Sequence, residues 1–140
     1  MFLLLFLPIN FAHALPVTSP FGWRVHPISG EWKFHAGVDL GYEYGTGVAA
    51  LFDGIVIQAG DYGDGYGNQV LLYHSNIDSY TRYCHMSSVT VEIYQQVGAG
   101  SIVGYVGSTG YSTGPHLHLE YIVPASGGGY IYTDPLILWN

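Results

Sequence analysis

The residues of this chain best suited to chemistry lie in Pro115-His-Leu-His-Leu-Glu120. In an extended segment alternate side chains share a face, so His116 and His118 point together into one place while Leu117 and Leu119 point into another. A His-x-His pair alone is weak, but two further segments can complete it. Phe34-His-Ala-Gly-Val-Asp-Leu-Gly41 brings His35 and Asp39, and Tyr83-Cys-His-Met86 brings His85. A catalytic zinc site needs three protein ligands with N or O donors and a fourth position left open. His35, Asp39 and one of His116 and His118 supply that set without a thiolate. The other imidazoles are then available for proton transfer and for stabilising charge on a reacting carbonyl.

The remaining candidates have plainer readings. His26, before Pro27 in a loop, reads as an ordinary surface residue, and His74, at the end of a strand, as a structural hydrogen-bonding one. Cys84 beside His85 could be read as a thiolate with its base. Adjacent strand residues face opposite sides, however, so a buried, inert thiol is expected.

The elements that must position these groups are strands. Glycine reaches 20 residues and tyrosine 13, while charged residues make up only 9%, against about a quarter in ordinary globular chains. Gly37, Gly41, Gly45 and Gly47 argue against a helix around His35 and Asp39, which are expected in an extended or looped segment with both side chains inward. A short strand and loop are expected over 16–30. Gly47 to Gly60 holds β-branched runs separated at Asp53-Gly54, a tight-turn signal. Asn68 to His74 and Ser79 to Met86 read as a hairpin, Val89 to Gln96 as strand or short helix, and Val97 to Gly107 as tightly bent strand. His116 to Val123 is a strand, and Tyr130 to Pro135 closes the sheet after a turn at Gly127 to Gly129. The expected fold class is all-β, a compact antiparallel barrel or sandwich with little helix.

At 140 residues the chain is most simply one domain, with a single cysteine and therefore no internal disulfide. Three basic residues against ten acidic ones, net charge -7, leave no electrostatic footprint for nucleic acid. Residues 1–14 form an apolar run ending in Ala12-His-Ala14, too short for a membrane span, and fit a leader cleaved near Leu15 or, since no Lys or Arg precedes the run, a truncated apolar leader. Residues 15–140 then form the functional domain, exported to the periplasm, cell envelope or extracellular space.

Taken together, Ser19-Pro-Phe-Gly-Trp-Arg-Val-His-Pro27, Phe34 to Leu40, Tyr66-Gly-Asn68, Tyr83 to Met86, and Gly107-Ser-Thr-Gly-Tyr-Ser-Thr-Gly-Pro-His-Leu-His-Leu-Glu120 closely resemble the lysostaphin/LytM-type zinc endopeptidases that cut peptidoglycan peptides. The resemblance runs from Pro16 to Leu138. It implies a fold of the duplicated hybrid motif type, Zn2+ held by His35, Asp39 and His118, and catalytic roles for His85 and His116. It also implies a peptidoglycan peptide substrate, and a monomer is expected. Cys84 and Met86 replace a more usual small residue and Leu, and Tyr94 stands where a turn glycine is usual. Glycine-rich loops at Tyr42 to Gly47, Asp61 to Gly67 and Gly107 to Gly114 are expected to wall a peptide groove.

Three rivals are weaker. A non-catalytic module of the same fold, binding wall or activating another hydrolase, predicts a missing ligand or catalytic histidine, and none is missing. A lipoyl- or biotinyl-type carrier needs an exposed modified lysine in a hairpin, and the one lysine, Lys33, adjoins the proposed metal segment. The His-Glu-x-x-His motif of helical zinc proteases is absent.

Overall fold

A computed structural model describes residues 15–139. The leader segment 1–14 lies outside the described residues. Twelve strands follow in order: β1 Val17–Ser19, β2 Gly22–Val25, β3 Trp32–His35, β4 Val38–Leu40, β5 Gly47–Ala49, β6 Gly54–Asp61, β7 Asn68–His74, β8 Ser79–Val89, β9 Gln96–Val97, β10 Ile102–Val106, β11 Leu117–Pro124 and β12 Tyr130–Thr133. A 3-10 turn, Pro135–Trp139, ends the described chain. Every strand pairing is antiparallel, so the expected all-β architecture is what the sequence forms.

The main path of the sheet runs β1-β4-β11-β8-β7-β6-β9. The long strand β8 serves two partners in succession. Its first part pairs with β7 and β11, and its last residues pair with β10, which in turn pairs with β5. Val38, Leu40, Val48, Val56, Val70, Leu72, Tyr83, Met86, Val103, Val106, Leu117 and Leu119 are all fully buried in one cluster drawn from both branches. Each such side chain contributes roughly 1.5–3 kcal/mol by leaving water. This shared core fixes β4, β8 and β11 relative to one another.

Period-two alternation sorts the functional strands. In β4, Val38 and Leu40 enter the core and leave Asp39 on the opposite face. In β11, Leu117 and Leu119 do the same for His118 and Glu120. β2 and β3 stand apart as a two-stranded hairpin, so the single short strand expected over 16–30 is two strands belonging to different sheets.

Two expectations need correction, and the turn at Asp53-Gly54 needs a further reading. The runs flanking it pair elsewhere and not with each other, β5 with β10 and β6 with β7 and β9. Gly54 answers a close approach instead, because a Cβ there would meet the His74 ring and the Tyr73 carbonyl oxygen, each at 2.7 Å. The Val89 to Gln96 stretch is neither helix nor continuous strand: β8 ends at Val89, a turn follows, and β9 begins at Gln96. At that turn Tyr94 takes φ 73°, the left-handed conformation that glycine adopts at least cost. Finally, β12 pairs only with β11, so it extends the sheet at one point and does not close it.

Candidate active site

Strand register builds the site. His118 of β11 lies directly opposite Asp39 of β4, which places the imidazole and the carboxylate side by side on the face turned away from the core. β3 delivers His35 at its C-terminal end, and Ala36-Gly37 carries the chain straight into β4. Gly37 is required by closeness: a Cβ would collide with the Leu119 carbonyl oxygen and come within 2.9 Å of His118 Cε1.

The three donor atoms form a tight triangle. His118 Nδ1 is 2.8 Å from Asp39 Oδ1, His35 Nε2 is 3.2 Å from Asp39 Oδ1, and His35 Nε2 is 3.2 Å from His118 Nδ1. Tetrahedral coordination with metal–ligand bonds of about 2.0–2.1 Å separates its ligands by roughly 3.3 Å, so this triangle matches one face of a zinc tetrahedron. His35, Asp39 and His118 are also the one His/Cys/Asp/Glu group among the described residues gathered closely enough to hold an ion.

Outer partners fix which nitrogens can coordinate. The Pro20 carbonyl only accepts, so the His35 Nδ1–H donates to it at 2.8 Å and Nε2 keeps its lone pair. The His118 Nε2–H donates to Glu120 Oε2 at 2.9 Å, which turns Nδ1 towards the triangle. A carboxylate behind a ligating imidazole orients the ring and raises its basicity. Glu120 is itself fully buried and also accepts from Arg82 Nη1 at 2.7 Å and from the Tyr66 hydroxyl. Burial works to raise the Glu120 carboxyl, but His118, Tyr66 and Arg82 hold it below its ordinary range.

Charge in the triangle follows from the same contacts. Burial opposes ionisation of Asp39, yet the hydrogen bond from His118 and the His35 imidazole beside it hold its carboxyl well below the usual carboxylate range. Burial also opposes charging of His118, but the bonds to Asp39 and Glu120 prevail and lift it to about 9. At neutral pH His118 is therefore charged beside the Asp39 carboxylate.

His85 and His116 stand beside the triangle, their ring centroids 4.8 Å apart and the His85 centroid 6.0 Å from that of His118. A β-bulge brings His85 there. Between the pairs Val70↔Tyr83 and Asn68↔Met86, β8 uses one more residue than β7, and His85 takes φ 63°. Holding a non-glycine residue in that region costs of order 1–3 kcal/mol, a strain that functional sites commonly carry. The His85 amide donates to the Tyr66 carbonyl at 2.8 Å. Its Nδ1–H donates to the Thr109 carbonyl at 2.7 Å, leaving Nε2 with the free lone pair. Burial, reinforced by His116 and His118 against the bond to Thr109, pushes His85 down to about 4 and keeps it neutral. His116 is arranged alike, with its Nδ1–H donating to the Gly114 carbonyl at 2.9 Å and Nε2 lying 3.7 Å from Asp39 Oδ1.

These groups share a cleft of about 570 Å³. Two of the three loops expected to line it do so, through Asp64 to Tyr66 and Tyr111 to Gly114. The Tyr42 to Gly47 loop does not, and residues 24–28 at the end of the β2–β3 hairpin supply that wall. His26, read as an ordinary surface residue, lines the cleft too. Its Nδ1 accepts from the Ile28 and Ser29 amides at 3.2 Å each, and its ring stacks on Tyr111 at 5.5 Å. His74 has the expected structural role, bonding the Asp53 carbonyl at 2.9 Å and the Thr81 hydroxyl at 2.7 Å.

Cys84 is buried and inert as expected, although for a different reason. The bulge breaks the alternation, and the register sets Cys84 opposite His118 on the same face as Arg82. Complete burial, with Glu120 adding, pushes its thiol well above the ordinary range, so no thiolate is available. Glu120, Tyr66 and Arg82 were not singled out as site residues by the sequence. The cue for Glu120 was present, since it continues the same-face series His116, His118.

The sequence profile of Peptidase family M23 matches residues 33–130. The chain is 45% identical over 104 residues to the DD-carboxypeptidase/endopeptidase Mpg of Neisseria meningitidis, a match covering 74% of this chain and 24% of that protein. It thus spans about a quarter of that relative's length. The crystallised catalytic domain of lysostaphin from Staphylococcus simulans superposes with a TM-score of 0.79 at 32% identity, covering 94% of this chain and 96% of that one. A zinc-containing peptidase from Vibrio cholerae superposes with a TM-score of 0.67 at 35% identity, covering 75% and 32% respectively. With the profile match covering most of the chain and the relatives sharing its fold, this chain belongs to Peptidase family M23.

Proposed function

We propose that this chain is a zinc endopeptidase that hydrolyses peptide bonds in the stem peptides or cross-bridges of bacterial peptidoglycan. The observation that carries the reading is the triangle of His35 Nε2, Asp39 Oδ1 and His118 Nδ1, with edges of 2.8–3.2 Å, beside two imidazoles whose Nε2 lone pairs are free. The name of one further relative, the peptidoglycan DD-endopeptidase ShyC of Vibrio cholerae, 39% identical over 100 residues, supplies the substrate class, and the zinc-containing peptidase supplies the identity of the metal.

His35, Asp39 and His118 would hold the zinc, and Asp39 would reduce the charge of the centre from +2 to about +1. Bound zinc supplies a Lewis acid that polarises the scissile carbonyl and acidifies water. The protein's own part is positional and protonic. Pro20 and Glu120 aim the ligating nitrogens. His85 and His116, anchored through Nδ1–H to backbone carbonyls, turn Nε2 outward to take a proton from the attacking water and return it to the leaving amine. The cleft walls, including Tyr66 and Tyr111, hold the peptide extended across the site. Such a substrate lies outside the cytoplasm, so we place the protein in the periplasm, cell envelope or extracellular space, with residues 1–14 as a removable leader and 15–140 as the peptidase domain. No helix among the described residues is long and apolar enough to cross a membrane.

Paired variants test the assignment. His118→Ala should lose stoichiometric zinc, whereas His85→Ala and His116→Ala should retain zinc and lose turnover on defined muropeptides. The opposite pattern would reverse the roles, and a zinc-loaded wild type without turnover would favour a non-catalytic module that binds wall or activates another hydrolase.

A further inference from the structure

The cleft contains a cation that the proposed mechanism does not use. Of the three basic residues in a chain of net charge -7, Arg82 is committed to Glu120 at 2.7 Å and lies over the Tyr66 ring. The other two, Arg24 and Lys33, are directly opposite one another in the β2–β3 hairpin. Like charges in that position repel and destabilise a hairpin unless something offsets them. Lys33 has Glu31 at 3.7 Å, with both side chains exposed. Arg24 makes no ion pair among the described residues, and its Nε and Nη1 are buried without a hydrogen-bond partner.

Arg24 lines the cleft. The pairs Gly22↔His35 and Arg24↔Lys33 put it on the hairpin face that carries His35, two residues along the strand and so about 7 Å from that register position. The cleft carboxylate of Asp64 does not serve it, being engaged by Gln69 Nε2 at 2.9 and 3.1 Å and by the Tyr66 amide at 3.0 Å. A guanidinium at a cleft wall that no protein acceptor holds suits a planar anion, which a carboxylate satisfies through two parallel hydrogen bonds once the side chain turns its covered Nε and Nη1 towards it. A peptide extended across the site advances about 3.3 Å per residue.

We propose that Arg24, with Lys33 adding to the positive field, is a specificity subsite for a carboxylate carried by the peptide about two residues from the scissile bond. The proposal rests on the endopeptidase reading and narrows its substrate to peptides anionic on that side of the cut. Two sources offer the group: the free C-terminus of a peptide, or a carboxylate on a side chain.

The test uses cross-linked muropeptide dimers, unmodified or amidated at either the terminal or the side-chain carboxylate. Turnover is measured on zinc-loaded protein, and binding by calorimetry on metal-free protein. Amidation at one of the two places should weaken binding and raise KM roughly 10- to 100-fold with kcat little changed, the usual range for a charge-assisted hydrogen bond, and which one does so identifies the source. Arg24→Gln should weaken the unmodified dimer by the same factor and leave the amidated dimer unaffected. Arg24→Lys should fall between, keeping the charge without the fork. Equal losses for amidated and unmodified dimers in Arg24→Gln, or wild-type indifference to both amidations, would overturn the subsite. Should Arg24→Gln not fold, the wild-type comparison decides alone. Absent turnover with the binding preference intact would defeat the peptidase reading and leave the subsite standing. Turnover indifferent to amidation would do the reverse, and loss of both would defeat both.

Discussion

Glu120→Gln tests how far the proposed metal site depends on the residue behind it. The carboxylate is fully buried and divides its oxygens, with Oε1 accepting from Arg82 at 2.7 Å and Oε2 accepting from His118 at 2.9 Å and from Tyr66. Glutamine matches its shape but has one acceptor oxygen and an NH2 that only donates. With the oxygen towards His118, the NH2 confronts the Arg82 guanidinium; flipped, it confronts the His118 Nε2–H. Either orientation removes the counter-charge of Arg82, whose Nε is already buried without a partner. Losing such a partner behind a metal ligand costs roughly 10–100-fold in metal affinity, or about 1.4–2.8 kcal/mol at 1.4 kcal/mol per tenfold. The fold itself should lose about 3 kcal/mol, the low end for breaking a buried ion pair, because the Arg82 side chain keeps 14% exposure. Competition against a zinc chelator measures the first quantity and denaturant unfolding of the metal-free protein the second. A folded Glu120→Gln protein with zinc affinity within twofold of wild type would refute the argument that Glu120 orients His118.

Other consequences follow from particular residues. Tyr94→Gly relieves a φ of 73° at a side chain that is 76% exposed, so stability should rise by about 0.5–1 kcal/mol; a lower midpoint in thermal unfolding would contradict this. Gly37→Ala puts a methyl against the Leu119 carbonyl and His118 Cε1, and zinc content after dialysis should fall below that of wild type even where the protein still folds. In the metal-free protein His118 is raised from 6.5 to about 9. The stability this charge contributes is therefore full below pH 6.5 and lost as pH rises through about 9. Thermal midpoints of the metal-free protein should fall across that window while those of the zinc-loaded protein do not, and a flat metal-free profile would count against the protonated triangle.

Much of the site was legible because strand alternation is rigid. Leu117 and Leu119 had to be buried, so His116 and His118 had to share the other face, and the apolar Val38 and Leu40 did the same for Asp39. The β7–β8 hairpin was legible from its β-rich runs and intervening turn. What escaped were features set by tertiary contact. The extra residue of the bulge, which turns His85 into the cleft and upsets the reasoning about Cys84, leaves no periodic trace in Tyr83-Cys-His-Met86. Asp53-Gly54 has turn composition, yet its glycine makes room for the His74 ring, and the flanking strands find partners elsewhere. The Tyr42 to Gly47 loop shares the glycine richness of the two loops that line the cleft, and only the path of the chain excludes it.

Digestion of purified sacculi tests the central claim most directly, with the new termini identified by mass spectrometry. Zinc-loaded protein should release new amino termini at peptide bonds of at least one cross-bridge or stem chemistry, stop when the metal is chelated, and resume when zinc is restored. Stoichiometrically zinc-loaded, folded protein that leaves sacculi of varied cross-bridge chemistry uncut would contradict it.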